Sequence, residues 1–100
     1  RAQKNPDIIW NELLSWLFVQ QNQYSSAFRQ EKAIFKRING SSTLRLENLG
    51  DNALEAKDHE TAKEIFSYII DNTNNDIIKL DAELNLLDIE LMKANQLKNF

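Results

Sequence analysis

The only histidine of the chain, His59, is the first residue to consider for catalysis or metal binding. A zinc site needs several nitrogen or sulfur ligands, and the sequence contains no cysteine and no second histidine. The neighbouring carboxylates of Asp58 and Glu60 are acids of the kind that favour the first turn of a helix. We therefore expect His59 to pack or to begin a helix rather than to act as a general base or a metal ligand.

Acidic side chains are frequent in the second half of the chain, where pairs of them could serve as general acid and base. A solvated helix face explains them more simply, because no phosphate-binding glycine loop, nucleophile elbow or His-Glu metal helix accompanies them. The residues concerned are Glu60, Glu64, Glu83 and Glu90. The sequence predicts a protein that is not an enzyme, with no catalytic residue, no cofactor and no metal site.

A basic stripe with helical spacing is formed by Arg29, Lys32, Lys36 and Arg37. An RNA-binding strip of a helical-repeat array is one interpretation of this stripe, and a solvated face that complements a helix dipole is the other. The distribution of charge favours the second, since residues 1–50 carry +3 and residues 51–100 carry −6. Because an acidic half repels a phosphate backbone, we predict that nucleic acid is not a partner.

Composition favours helices along the whole chain. Hydrophobic residues make up 42% of it, whereas two glycines and one proline leave few breaks for a sheet of short strands. An all-α fold is therefore expected. Hydrophobic periodicity predicts five helices, roughly 6–21, 24–38, 43–56, 59–71 and 77–96. No apolar stretch approaches the length of a membrane span, so membrane insertion is not expected.

Short polar links separate the predicted helices. Asn5 is a candidate N-cap before Pro6, and Asp58 is a candidate N-cap for the fourth helix. Between the second and third helices, Gly40 suits the left-handed position after a helix, and the serines that follow can cap the next one. Links this short predict antiparallel hairpins. We expect one domain, residues 1–100, with hairpins at 6–38 and 42–72 and a long helix at 76–97.

A pattern of small and large residues occurs twice, 35 residues apart. The first copy contains Leu14, Ser15, Phe18 and Ala27, and the second contains Leu49, Gly50, Ala53, Ala62 and Phe66. Small residues let two helix backbones approach closely, with Ser15 facing Ala27 and Gly50 facing Ala62 across each hairpin. The repeat therefore predicts a stack of similar helical hairpins.

This repeat resembles the tetratricopeptide repeat, a helix-turn-helix unit with the pattern W-x2-L-G-x2-Y, then A-x3-F and a terminal P. The resemblance implies a right-handed stack of antiparallel hairpins, an α-solenoid, that acts as a non-catalytic protein-interaction scaffold. The chain departs from the pattern at Asn11, Glu31, Asn39, Leu46 and Asn74. A third unit begins at Ile77, in which either Leu84 or Leu87 takes the place of Leu49.

In tetratricopeptide arrays the first helix of each hairpin lines a concave groove, and the resemblance places seven residues of this chain there. They are Glu12, Trp16, Val19, Glu47, Asp51, Leu54 and Glu55. Such a groove is acidic with apolar patches and implies a protein or peptide partner. It lacks the basic and amide side chains with which some tetratricopeptide domains hold a C-terminal carboxylate, so we do not expect that mode. In the alternative interpretation, Trp16 packs against a preceding hairpin.

A second hypothesis gives the last predicted helix a structural role. Its leucine stripe, Leu80, Leu84, Leu87 and Leu91, has the spacing of a coiled-coil seam, which predicts a homodimer through residues 77–100. The chain begins at Arg1 and is expected to be a fragment of a longer repeat protein. Its glutamine-rich turn is similar to those of bacterial cell-envelope arrays, which implies an envelope or periplasmic location, with the cytoplasm as the alternative.

Overall fold

The computed structural model describes residues 6–39 and 42–98 and contains five α-helices and no strand within them. The helices are α1 (Pro6–Gln20), α2 (Tyr24–Arg37), α3 (Leu44–Glu55), α4 (His59–Asn72) and α5 (Asp76–Lys98). The all-α prediction with five helices is confirmed, and the predicted helix ends lie within about two residues of the observed ones. None of the described helices has both the length and the apolar character needed to cross a bilayer.

Helix packing follows the order of the chain. α1 packs against α2, α3 packs against α4, and α4 packs against α5. α2 also contacts α3 and α4, and these contacts join the two helix pairs. Within the described residues the backbones of α1 and α5 each pack closely against a single helix, so each keeps an outer face without a neighbour. The Cα trace measures 56 × 32 × 15 Å, the shape of a thin slab.

The turns inside the two hairpins repeat bond by bond at the 35-residue offset. Asn22 and Lys57 each adopt a left-handed conformation, with φ of 60° and 65°. The next amide, of Gln23 or Asp58, donates to a carbonyl five residues earlier, at 2.8 Å in the first turn and 2.9 Å in the second. This is a Schellman arrangement, which satisfies carbonyls at the end of the preceding helix. The sequence repeat is therefore also a repeat of backbone conformation.

The start of α4 agrees with the prediction, whereas α3 has Thr43 rather than Ser42 as its N-cap. The carboxylate of Asp58 accepts a hydrogen bond from the Thr61 amide at 3.3 Å, which confirms it as the N-cap of α4. Asn5 and Gly40, predicted as a cap and a left-handed residue, lie outside the described residues. Asn39, with φ of 58°, takes a left-handed conformation after α2.

The core lies between the hairpins and contains most of the repeat signature. Ala27, Ala53 and Ala62 are completely buried, Leu49 is buried, and Leu14 and Phe18 are half-buried. Gly50 of α3 lies against the side chain of Phe66, which is one helical turn beyond Ala62 on α4. A Cβ built on Gly50 would lie 2.7 Å from Cζ of Phe66 and 2.9 Å from its Cε1. Glycine at position 50 therefore makes room for an aromatic ring of the second helix of the hairpin.

The register of α5 also differs from expectation. Neither Leu84 nor Leu87 is buried, and the residues buried against α4 are Ala82 and Ile89. These two correspond to Leu46 and Ala53 at an offset of 36 residues rather than 35. Because α5 contacts only α4, it can bury one face, and this choice leaves the leucine stripe on the outside.

Candidate functional site

A cleft between α1 and α3 brings together residues from both hairpins. We call it the α1/α3 cleft, and its volume is about 220 Å³. Its lining consists of Ser15, Trp16 and Val19 of α1, Glu31 of α2, and Arg45, Asn48, Leu49 and Asn52 of α3. Since the backbones of α1 and α3 do not approach each other closely, the space between them is open and α2 forms its floor.

The floor of the cleft is a buried carboxylate with three hydrogen bonds. Glu31 is 5% exposed, and its Oε2 accepts a hydrogen bond of 2.5 Å from Oγ of Ser15. Arg45 donates from Nε to Oε1 and from Nη2 to Oε2 of the same carboxylate, both at 2.8 Å. The two parallel bonds form the bidentate geometry that a guanidinium and a carboxylate favour. Glu31, which departs from the repeat pattern, is therefore fully satisfied at the junction of the two hairpins.

Arg45 is held in place by its acidic neighbours. The hydrogen bonds to Glu31 raise the pKa of Arg45, and they outweigh the effect of burial, which lowers it. Oε2 of Glu12 lies 3.9 Å from Nη1 and adds a second carboxylate. Because two carboxylates already neutralise this guanidinium, Arg45 is poorly suited to binding an anionic ligand.

The groups in the cleft that remain open to a ligand are neutral. Asn48 and Asn52 are exposed, lie one helical turn apart, and make no side-chain hydrogen bond to another described residue. Each amide offers both donors and an acceptor, the combination that pairs with a peptide backbone. Opposite them, Trp16 is 58% exposed and presents a large apolar surface. The cleft can therefore hold an uncharged, extended segment by amide pairing and aromatic contact.

The structure divides the seven predicted groove residues among different places. Trp16 and Val19 line the α1/α3 cleft, and Glu12 lies at its edge beside Arg45. Glu47 lines a separate cleft of about 540 Å³ beside the link between α4 and α5. Leu54 is half-buried against the core, whereas Asp51 and Glu55 are exposed on α3.

The acidic part of the predicted groove lies on the side of α3 that faces α5. Burial raises the pKa of Asp51, and the carboxylates of Asp81, Glu47 and Glu55 raise it further. The groove is therefore not uniform, since the side toward α1 holds Arg45 between two carboxylates beside neutral amides, whereas the side toward α5 carries negative charge without a cation among the causes of the shift.

Three residues of the α1/α3 cleft were absent from the sequence prediction. Arg45, Asn48 and Asn52 supply this cleft with basic and amide groups, which the predicted set of groove residues does not contain. Their spacing of three and four residues places them on one face of α3, and this periodicity was the available signal. The predicted groove residues of this helix were instead Glu47, Asp51, Leu54 and Glu55, which lie on a different face.

The remaining candidates for chemistry are found in ordinary structural settings. His59 is half-buried at the first residue of α4. In the basic stripe, Nζ of Lys32 lies 4.5 Å from the ring centre of Phe28 and 5.9 Å from that of Tyr68, a cation–π arrangement. Arg29 donates to Oγ of Ser26 at 3.2 Å. No group of His, Asp or Glu side chains within the described ranges is arranged to hold a metal ion.

No family model, curated protein or solved structure matches the chain. The resemblance to the tetratricopeptide repeat therefore depends on the repeated residues alone. What the structure adds is the arrangement of five helices and the composition of the cleft between two of them.

Proposed function

We propose that the protein is a non-catalytic interaction scaffold that binds an extended peptide segment of a protein partner in the α1/α3 cleft. The observation that carries this proposal is the exposed Trp16 opposite the exposed amides of Asn48 and Asn52, which have no side-chain partner among the described residues. Amide groups that bond to a peptide backbone give affinity for an extended chain, and the indole adds apolar contact. In this proposal the helices form a right-handed, tetratricopeptide-like stack with α1, α3 and α5 on the binding face.

Two kinds of structural support stand behind the proposal. The backbone of the hairpin turn is repeated at Asn22 and Lys57, as expected for stacked copies of one unit. The two hairpins are also linked by the contact of Arg45 with Glu31, which fixes α3 relative to α2 and so keeps the cleft open. A rigid, preformed cleft lowers the entropy lost on binding.

A peptide-display library of random, uncharged sequences panned against the intact protein tests this function. Peptides enriched on the wild type should lose about tenfold or more in affinity for Trp16→Ala and for Asn48→Ala/Asn52→Ala. Trp10→Ala is the matched control, because Trp10 is a second exposed tryptophan on α1 that does not line the cleft. The proposal fails if the enriched peptides bind Trp16→Ala and Trp10→Ala as tightly as the wild type.

Self-association through the C-terminal helix is the second candidate function. The leucine stripe favours it, since all four leucines are about half exposed on a helix that contacts only α4. Sedimentation velocity of the intact chain, with Leu84→Ser/Leu87→Ser as the comparison, distinguishes the two. A dimer that becomes a monomer on this substitution supports self-association, whereas a monomer in both cases excludes it.

A further inference from the structure

The leucine stripe on α5 is a regular apolar face that the described part of the fold leaves open. Leu80, Leu84, Leu87 and Leu91 are between 52 and 56% exposed, and they alternate at intervals of four and three residues. The opposite side of the helix, at Ala82 and Ile89, is buried against α4. The stripe thus has the geometry of a seam prepared for one further helix.

The edges of this stripe carry charge of one sign. In heptad terms the two seam positions are flanked by Asp81 and Asp88 on one edge and by Glu83 and Glu90 on the other. All four carboxylates are exposed. Within the described part of the chain, Glu90 is the one of the four that forms an ion pair, with Lys63, whose Nζ lies 3.6 Å from its Oε2. Lys79 and Lys93 of α5 lie off both edges, and Lys93 donates to Glu60 of α4.

This distribution of charge disfavours a second copy of α5 as the occupant. When two helices pair, the residues beside one seam face the residues beside the other. An α5 pair would place carboxylates against carboxylates on both edges, whether the helices ran parallel or antiparallel. Like charges held opposite each other reduce affinity and select against that partner.

Other surfaces of this chain do not supply the missing cations. The outer face of α1 exposes Ile9, Leu13 and Leu17, but Pro6–Gln20 contains no lysine or arginine. α2 carries the basic stripe, but its large apolar side chains, such as Phe28 and Phe35, are buried in the core. No described surface of this protein therefore combines an exposed apolar seam with positive flanks.

The geometry points to the leucine stripe as a docking site for an amphipathic helix of a different polypeptide, one with an apolar seam and Lys or Arg at both flanking positions. Leucines buried on both sides provide the affinity, and the pairing of cations with Asp81, Glu83, Asp88 and Glu90 provides the selectivity. This site lies on α5, apart from the α1/α3 cleft, so each can fail without the other.

Two synthetic helical peptides of about 21 residues, identical in their leucine seam, test this inference. The basic peptide has Lys at all flanking positions, and the acidic peptide has Glu there. Fluorescence anisotropy with the intact chain should show the basic peptide binding at least about tenfold more tightly. That preference should shrink in about 0.5 M salt, because exposed charges are then screened.

Variants of α5 locate the binding and its selectivity. Leu84→Ser/Leu87→Ser should weaken binding of the basic peptide by about tenfold or more. Leu13→Ser, on the apolar face of α1, should leave that affinity unchanged. Asp81→Lys/Asp88→Lys should reduce or reverse the preference between the two peptides. These positions are exposed, and circular dichroism melts verify that each variant remains folded.

The inference is overturned if neither peptide binds, if the two bind equally at low salt, or if Leu84→Ser/Leu87→Ser binds like the wild type. It is also overturned if the chain alone forms a dimer that the same substitution dissociates, since a second copy would then occupy the stripe. Trp16→Ala, which tests the α1/α3 cleft, should have no effect on either peptide.

Discussion

The crossings of the two hairpins occupy equivalent places in the repeat and are built from opposite chemistry. In the second hairpin, Gly50 lies under the ring of Phe66, which is almost fully buried. In the first, the residues 35 positions earlier are Ser15 and Glu31, which share a 2.5 Å hydrogen bond. Arg45 then completes the first crossing from α3, with two bonds of 2.8 Å.

The two crossings stabilise different parts of the fold: one stabilises a single hairpin, and the other sets the position of one hairpin relative to the next. Phe66 packs on Gly50 inside one hairpin, so that contact stabilises the hairpin itself. Glu31 and Arg45 belong to different hairpins, so their ion pair sets the position of one hairpin relative to the next. This ion pair is only partly buried, since the Arg45 side chain is 47% exposed, and such a pair contributes less to stability than well-packed apolar groups but is specific in geometry. The first crossing thus fixes the orientation of the two hairpins, but it contributes less packing energy than the apolar second crossing.

Removing Arg45 should have the largest effect on this comparison. Arg45→Ala leaves the Glu31 carboxylate buried with only Ser15 as a hydrogen-bond donor, and an uncompensated buried charge is costly. We expect the free energy of unfolding to fall by about 3 kcal/mol, measured by urea denaturation. Arg29→Ala is the control, because Arg29 is an exposed cation of α2 outside the network, and it should change stability by less than about 0.5 kcal/mol. Equal losses for the two variants would show that the network does not hold the hairpins.

The next largest change in stability is expected when the residues of the first crossing are replaced by those of the second. Ser15→Gly/Glu31→Phe replaces the buried carboxylate by a ring over a glycine, as at Gly50. We expect stability equal to the wild type or higher by up to about 2 kcal/mol, since apolar replacement of a buried ion pair is often stabilising and glycine in a helix costs about 1 kcal/mol. Glu31→Phe alone should be less stable, because the Ser15 Cβ then meets the ring. A double variant less stable than Glu31→Phe would contradict the equivalence of the crossings.

Adding a methyl group at the second crossing should lower the free energy of unfolding by less than the loss of Arg45 does. Gly50→Ala puts a Cβ within 3 Å of Phe66, and the overpacking penalty is offset by about 1 kcal/mol of gained helix propensity. A net loss of about 1 kcal/mol is expected in thermal or urea unfolding. Phe66→Leu in the Gly50→Ala background should reduce that penalty, as a double-mutant cycle would measure. A stabilising Gly50→Ala would show that the ring moves freely.

The smallest expected effect concerns charge on the open face of α3. Burial and then Asp81 raise the pKa of Asp51 above its ordinary value, so ionisation of Asp51 opposes folding. This destabilisation is absent below the ordinary carboxyl pKa and develops as the pH rises through the raised one. Asp51→Asn should therefore raise the melting temperature slightly at pH 7 and leave it unchanged near pH 3. An equal gain at both pH values would point to a packing effect instead.

Much of the fold follows from local features of the sequence. Helix limits and the Asp58 cap depend on residues within a turn or two of each other, so periodicity and capping predicted them well. The candidate site was predicted less completely. Trp16 and Val19 were assigned to the groove, but Asn48 and Asn52 were not, because the direction in which α3 presents them depends on where α1 lies.

By itself, the sequence determined five helices, two hairpin turns and the equivalence of positions 35 residues apart, since hydrogen bonds close in the chain and helical periodicity need no distant partner. Tertiary structure alone decided that Glu31 is buried with Ser15 and Arg45, which lie 16 and 14 positions away. It also decided which face of α5 packs against α4 and which leaves its leucines exposed. The reason is that burial of a side chain depends on which helices pack together. A charged side chain can be buried only when another side chain, here distant in sequence, pairs with it.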